Sequence, residues 1–270
     1  MKKVFFGLAL CVLTMSVIVV CATTKNGLMD HFFKDSKNVI GSNYKFLKKE
    51  NQKIVIDDYT ITLKESLCER NTQLGYLVFK VEKKGGKLVA DISKNGILQS
   101  FGYGRFIFDY EATGTFTPIA QYRGNVLYVY ISFEANAEEM DSVELEKCVR
   151  IADLEEKKDD EYKQYPFKLE YSDVYRKYES KNGQLYISPL GCRFITSHKQ
   201  NKLNIRIKKA EGEIKITKDD LDGAGWTEGN HTQQYYTYAF GKLLDLSEVK
   251  DVWINDEKLP NEMIGHRRHR

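Results

Sequence analysis

From residue 54 onward the apolar residues fall on alternate positions. Ile61 and Leu63 alternate with Thr60 and Thr62. Leu77, Phe79 and Val81 alternate with Tyr76, Val78 and Lys80, and Leu127, Val129, Ile131 and Phe133 with Val126, Tyr128, Tyr130 and Ser132. Side chains two apart on a strand share a face, so each run offers one stripe to a core. The style returns in the second half: Phe167, Leu169 and Tyr171; Leu185 and Ile187; Leu203, Ile205 and Ile207 against Asn204, Arg206 and Lys208; Ile214 and Ile216; Tyr235 to Phe240; and Val252-Trp253-Ile254. Turn-forming residues interrupt these runs at short intervals, at Asp57-Asp58, Lys84-Gly85-Gly86, Asn95-Gly96, Gly114, Arg123-Gly124-Asn125 and Asn182-Gly183. Such spacing belongs to antiparallel sheets rather than to strands alternating with helices. The predicted fold class is therefore all-β: two immunoglobulin-like antiparallel β-sandwich units, over 51–151 and 165–262, after an N-terminal apolar helix. Between them the run Glu155-Glu156-Lys157-Lys158-Asp159-Asp160-Glu161 has nothing apolar to bury. It predicts a charged linker, or an extended strand-to-strand connection, over 152–164.

The N-terminus follows a different rule. Lys2 and Lys3 precede Val4 to Ala22, a stretch without a charged side chain, and Lys25 follows it. Roughly 20 apolar residues cross a bilayer as a helix, and the two lysines hold the N-terminal end inside. The segment can remain as an anchor, be cleaved after Ala22 as a signal peptide, or be lipidated at Cys21, although Val20 is larger than lipidation favours. Each outcome places residues 26–270 beyond the cytoplasm: on a single-pass membrane protein, secreted, or lipid-anchored. Residues 26–50, with Leu28, Phe32, Phe33 and Phe46 among charges, read as a juxtamembrane stalk, and 263–270 as a basic tail.

Charge excludes one class of partner. Lys and Arg number 41 against 38 Asp and Glu, a net of +3. Setting aside Lys2, Lys3, Lys25, Arg267, Arg268 and Arg270 leaves 35 basic against 38 acidic residues, so the body is slightly acidic. No interior stretch has the concentrated basic field that phosphate neutralisation requires, and nucleic acid is not an expected partner.

Motifs for chemistry are missing from the chain: it has no GxSxG, HExxH, P-loop or GxGxxG, and no Cys or His spacing for zinc. The expectation is a protein that is not an enzyme and holds no cofactor or metal. Asp219, Asp220 and Asp222 before Gly223 lack the distal Glu of a calcium loop and read as a turn. Of the three cysteines beyond the leader, Cys192 has the parity of a buried residue and Cys148 reads as the more exposed. One bridge among Cys68, Cys148 and Cys192, in any of three pairings, or none at all, fits the sequence. Tyr128, Tyr130, Tyr236 and Tyr238, with Trp226 in a glycine-flanked loop, are the candidate contact surface. Aromatic rings on an outer sheet face stack on sugars or peptides, although tyrosine also packs across strands for structure alone.

Three stretches carry a resemblance: IVIDDYTITLKESLCERNTQLGYLVFKV from Ile54 to Val81, LYISPLGC from Leu185 to Cys192, and LDLSEVKDVWINDEKL from Leu244 to Leu259. Over roughly residues 40–260 the chain resembles the exported portion of Firmicute membrane-anchored proteins, an ectodomain family of unknown function found attached to anti-sigma factors of the extracytoplasmic-function type. The resemblance implies a two-part immunoglobulin-like envelope ectodomain without catalytic residues. It also implies a bend at Pro189-Leu190-Gly191 and a closing strand at Val252, Trp253 and Ile254. Only Met1, Lys2 and Lys3 precede the apolar run, so the cytoplasmic domain that would hold a sigma factor is not expected. The expected function is non-catalytic binding or sensing of an extracytoplasmic partner, an envelope protein or a wall polymer. The alternative is a carbohydrate- or wall-polymer-binding β-sandwich module.

Overall fold

A computed structural model describes residues 31–33, 48–111, 114–135, 146–158, 161–228, 231–260 and 264–265. The apolar leader 4–22 and the residues after 265 lie outside them. Among the described residues no helix is long and apolar enough to cross a membrane.

The first half contributes β1 (Lys48–Lys49), β2 (Lys53–Ile56), β3 (Tyr59–Glu69), β4 (Leu74–Lys83), β5 (Ala90–Ile92), β6 (Leu98–Phe101), β7 (Phe106–Tyr110), β8 (Phe116–Arg123), β9 (Val126–Glu134), β10 (Val149–Lys158), β11 (Glu161–Pro166) and β12 (Tyr171–Ser172). One sheet runs β1-β3-β4-β9-β8, with β2 and β12 also paired to β3; the facing sheet runs β11-β10-β7-β6-β5. The alternation dictates how they close. Ile61, Leu63, Leu77, Phe79, Val81, Leu127, Val129 and Ile131 from the first sheet are buried in one core with Leu98, Phe101, Phe106, Phe108, Val149 and Ile151 from the second. Two sheets burying their apolar stripes against each other make a β-sandwich. Between β2 and β3 the pairing of Ile56 with Tyr59 leaves Asp57-Asp58 as a two-residue turn, with Asp57 at φ 52°. A short polar side chain tolerates that left-handed backbone and the twist of a tight hairpin requires it.

The second half contributes β13 (Tyr175–Ser180), β14 (Gly183–Ile187), β15 (Gly191–Thr196), β16 (Asn204–Lys209), β17 (Glu213–Thr217), β18 (Asp222–Glu228), β19 (His231–Ala239), β20 (Val249–Ile254), β21 (Glu257–Leu259) and β22 (Ile264–Gly265). Its sheets run β18-β19-β15-β14-β13-β22 and β17-β16-β20-β21. Tyr178, Leu185, Ile187, Cys192, Phe194 and Tyr236 of the first face Ile205, Ile207, Ile216, Val252, Ile254 and Leu259 of the second across one core. The chain is thus all-β, in antiparallel sheets packed as sandwiches. Among the described residues one pairing departs from that rule: β12 lies parallel to β3.

Three sequence expectations give way here. Residues 152–164 are not a solvated linker, because β10 and β11 pair as a hairpin on the edge of the first unit's second sheet. The exposed arm of that hairpin buries little, so it carries no apolar stripe, and a register shift between Asp153 and Lys157 breaks the alternation that would have marked a strand. Phe167 and Leu169 are buried in the first core, so the first unit runs past the boundary placed at 151. The reading of 26–50 as a stalk also changes: β1 pairs with Glu65 and Ser66 on β3, and Phe33 is 2% exposed.

At the root of the β10–β11 hairpin an ion pair stands in for apolar packing. Asp153 is fully buried and accepts from Arg105 Nε at 2.9 Å and Nη2 at 2.7 Å. Burial opposes ionisation of Asp153, but the hydrogen bonds from Arg105 outweigh it and hold the carboxyl below its ordinary range.

Candidate functional site

Strand β4 has two apolar stripes. Leu77, Phe79 and Val81 enter the first core, while Leu74, Tyr76 and Val78 point to the opposite face beside Leu67, Tyr128 and Tyr130. That second face is covered by Phe32 and Phe33 and by Leu190 and Leu243 of the second sandwich. A sheet buried on both sides needs apolar residues at consecutive positions, as Leu77-Val78-Phe79 supplies. The result is a seam joining the two sandwiches.

Two of the five predicted contact residues lie in this seam. Tyr130 is fully buried, its ring stacked on His31 at 4.0 Å and 18°, and its hydroxyl accepts from Arg123 Nη2 at 2.9 Å. Tyr128 is half-buried, with the Arg123 guanidinium 4.9 Å above its ring. The other tyrosines belong to the second sandwich. Tyr236 is buried in its core and accepts from the Gln200 N–H at 2.9 Å. Tyr238 is partly buried against the same core, 5.9 Å from the Phe240 ring. Trp226 stands on strand β18, paired with Gln233, rather than in a loop; its side chain lies outside the described residues. The four described tyrosines therefore form no single exposed row: structure claims Tyr130 and Tyr236, while Tyr238 lines an open groove. That groove has a volume of about 350 Å³ and includes Lys209, Phe240 and Lys242.

Polar contacts close the seam at its ends. The buried bend after β14 is held by Ser188, whose Oγ accepts from the N–H groups of Leu190 (3.1 Å) and Gly191 (3.3 Å). The same hydroxyl sits 3.1 Å from Thr72 Oγ1 of the first sandwich. Thr72 in turn donates its N–H (2.7 Å) and hydroxyl (2.9 Å) to Glu69 Oε2, while Asn71 donates to Oε1 at 3.2 Å. Arg193, 1% exposed, reaches from the second sandwich to Gln73 Oε1 and the Ala135 carbonyl and lies 4.6 Å over the Tyr235 ring.

Glu69 is fully buried, and desolvation raises its carboxyl to about 7 despite those donors. A folded-state value above the unfolded one means that the native protein holds this proton more tightly. The stabilisation is therefore full below the unfolded value near 4.5 and is lost as pH rises through about 7. Unfolding free energy is expected to fall by on the order of 3 kcal/mol over that interval from this group alone. Glu69→Gln, which keeps an oxygen for Thr72, is expected to flatten the dependence in urea titrations at pH 5, 6, 7 and 8. An unchanged slope in the variant would remove Glu69 as its source.

The thiols are interior groups. Cys68, Cys148 and Cys192 are buried and unbridged. Cys148 is not the exposed member expected: it precedes β10 instead of lying on it, and its Sγ is 3.7 Å from the Tyr171 hydroxyl. Burial pushes its thiol up to about 11. Asp219 and Asp220 stand in a 3-10 turn whose N-cap, Thr217, donates its N–H to Asp220 Oδ2 at 2.8 Å, as a capped turn requires. Among the described residues, no three or more His, Cys, Asp or Glu side chains are grouped to hold a metal ion.

Residues that the sequence reading passed over lie on the outer face of the second sandwich. Lys215 on β17 pairs with Arg206 on β16, Arg206 with Trp253 on β20, and Trp253 with Lys258 on β21. The register makes one row across four strands. At its end a groove of about 510 Å³ is lined by Lys202, Asn204, Arg206, Lys215, Asn255 and Asp256 among others. The outward parity of Arg206 and Lys208 was visible in the sequence, but pairing partners are not written in a single chain.

No family model matches this chain, and no curated protein matches it. Among solved structures it is similar to a conserved domain protein from Bacillus anthracis, at 8% identity and a TM-score of 0.38, covering 83% of this chain and 79% of that one.

Proposed function

We propose that this protein is a non-catalytic ectodomain of the cell envelope that binds or senses a partner outside the cytoplasm, resembling anti-sigma-factor ectodomains. The observation that carries this reading is the division between interior and surface chemistry. The buried reactive groups Cys68, Cys148 and Glu69, with the half-buried Tyr171, serve packing and the seam. The open grooves instead set Lys beside Tyr or Asn among apolar lining residues, a mixture suited to holding a ligand. The apolar leader supports export, and the two sandwiches offer a rigid body for presenting loops and sheet faces. The alternative, a module for carbohydrate or wall polymer, draws on the cationic groove.

The test is topology. The full chain, expressed in a Gram-positive host, is expected in the membrane and wall fractions, with the 31–265 body digested when protease is added to intact protoplasts. Recovery in the cytosol, protected from protease, would refute the reading.

A further inference from the structure

We propose that the outer face of sheet β17-β16-β20-β21 is a docking surface for a linear phosphodiester polymer of the envelope, of the polyol-phosphate type. The inference deepens the envelope reading and rests on it for the source of the ligand. Three observations support it. Charge comes first: Lys202, Arg206, Lys208, Lys215 and Lys258 oppose Glu213, Asp251 and Asp256 on this face, in a body whose overall balance is slightly acidic. The row Lys215, Arg206, Trp253, Lys258 runs perpendicular to the strands, and at about 4.8 Å per strand it extends for roughly 14 Å. A straight line of cations suits a ligand whose anionic charge recurs along a chain better than it suits one compact anion.

Trp253 supplies the second observation. Arg206 lies 4.9 Å over its ring and Lys258 5.7 Å from it. Cation–π contact with the ring restrains the two long side chains, so less freedom is lost when a polyanion lies down on them. The third is availability. Among the described residues the Arg206 guanidinium has no carboxylate within ion-pair distance. The bond from Lys215 to Glu213 is 3.4 Å between side chains that are 72% and 29% exposed, a pair that contributes little and yields to a ligand. The tighter pair, Lys258 to Asp251 at 2.7 Å, marks the other end of the row. In the groove beside Arg206, Asn204 is clamped by Asn255, whose Oδ1 accepts the Asn204 N–H at 3.0 Å, so the rim is rigid.

The experiment titrates the full-length protein in detergent with soluble poly(glycerol phosphate) at several salt concentrations. Binding is expected with a log–log salt slope of about −2, as phosphates neutralised by the three cations of the row, at about 0.7 each, would give. The double variant Arg206→Gln with Lys215→Gln is expected to reduce the slope by about 1.4 and to weaken binding by at least about tenfold at low salt. Lys53→Gln, exposed on β2 of the first sandwich and away from the grooves, is expected to leave binding unchanged. Lys215→Gln alone, at a highly exposed position, gives a second reading if Arg206→Gln unsettles the fold, and is expected to reduce the slope by about 0.7. Absence of polymer binding by the parent protein, or full binding by the variants, overturns the proposal. So does tighter binding of phosphatidylglycerol vesicles or of single-stranded DNA than of the polymer. Surface exposure on protoplasts without polymer binding defeats this inference alone, whereas polymer binding by a cytosolic protein defeats the envelope assignment.

Discussion

Placing a side chain at Gly191 is expected to be among the most damaging single changes in the molecule. A Cβ there would lie 2.2 Å from the carbonyl oxygen of Tyr238 and 2.5 Å from Leu74 Cδ1. The first neighbour is backbone of β19, paired in register with β15, and it cannot turn away as a side chain can. The second belongs to the first sandwich, so the intrusion strikes a sheet and the seam together. Overpacking typically costs 1–3 kcal/mol and more where backbone must move; for Gly191→Val we expect a loss of at least about 3 kcal/mol in urea unfolding. The loss should come with greater protease sensitivity at residues 173–174, the connection between the sandwiches. A variant within about 0.5 kcal/mol of the parent would show that the ladder yields more easily than its geometry implies.

Phe79→Ala is expected to cost about 3–5 kcal/mol. The ring is fully buried and stands 4.8 Å from both Phe108 and Phe167. It therefore joins the two sheets of the first sandwich and also fixes the chain as it leaves β11. Truncation removes transfer energy and leaves a cavity among rings, which close over a void less readily than aliphatic chains. Phe79→Leu, closer in volume, is expected to cost less than half as much. Equal losses for the two variants would mean that the aromatic contacts, not the filled volume, hold the site.

The strands of the cores were legible because a sheet buried on one face writes its register as alternation. The alternating runs through Leu77, Leu127 and Ile205 fall on β4, β9 and β16. The seam was harder to see. Tyr76 and Val78 on β4, with Tyr128 and Tyr130 on β9, make both faces apolar, and from sequence Tyr128 and Tyr130 point to a contact surface for a foreign ligand. Their occupants proved to be Phe32, Phe33, Leu190 and Leu243 of the same chain. An outer face rich in tyrosine states that something covers it but not what does. The hairpin of β10 and β11 was missed for the converse reason. Its exposed arm buries little, so charge runs through a strand as it would through a linker. The cationic row was illegible because its members come from four strands spread over residues 206–258, and only pairing makes them neighbours.

The parallel strip β12 has a consequence for the order in which the molecule is made. Tyr171 and Ser172 lie along Cys68 and Glu69 of β3, and Phe167 plugs against Phe79. A polypeptide emerging N-terminus first, from a ribosome or through a translocation pore, has all of β1 to β9 available long before these residues arrive. Until roughly a hundred further residues have followed β3, its last edge stays bare and the first core stays open. The early half must wait for the late half to begin, and during that delay the unpaired margin of β3 is where a chaperone would have most to protect.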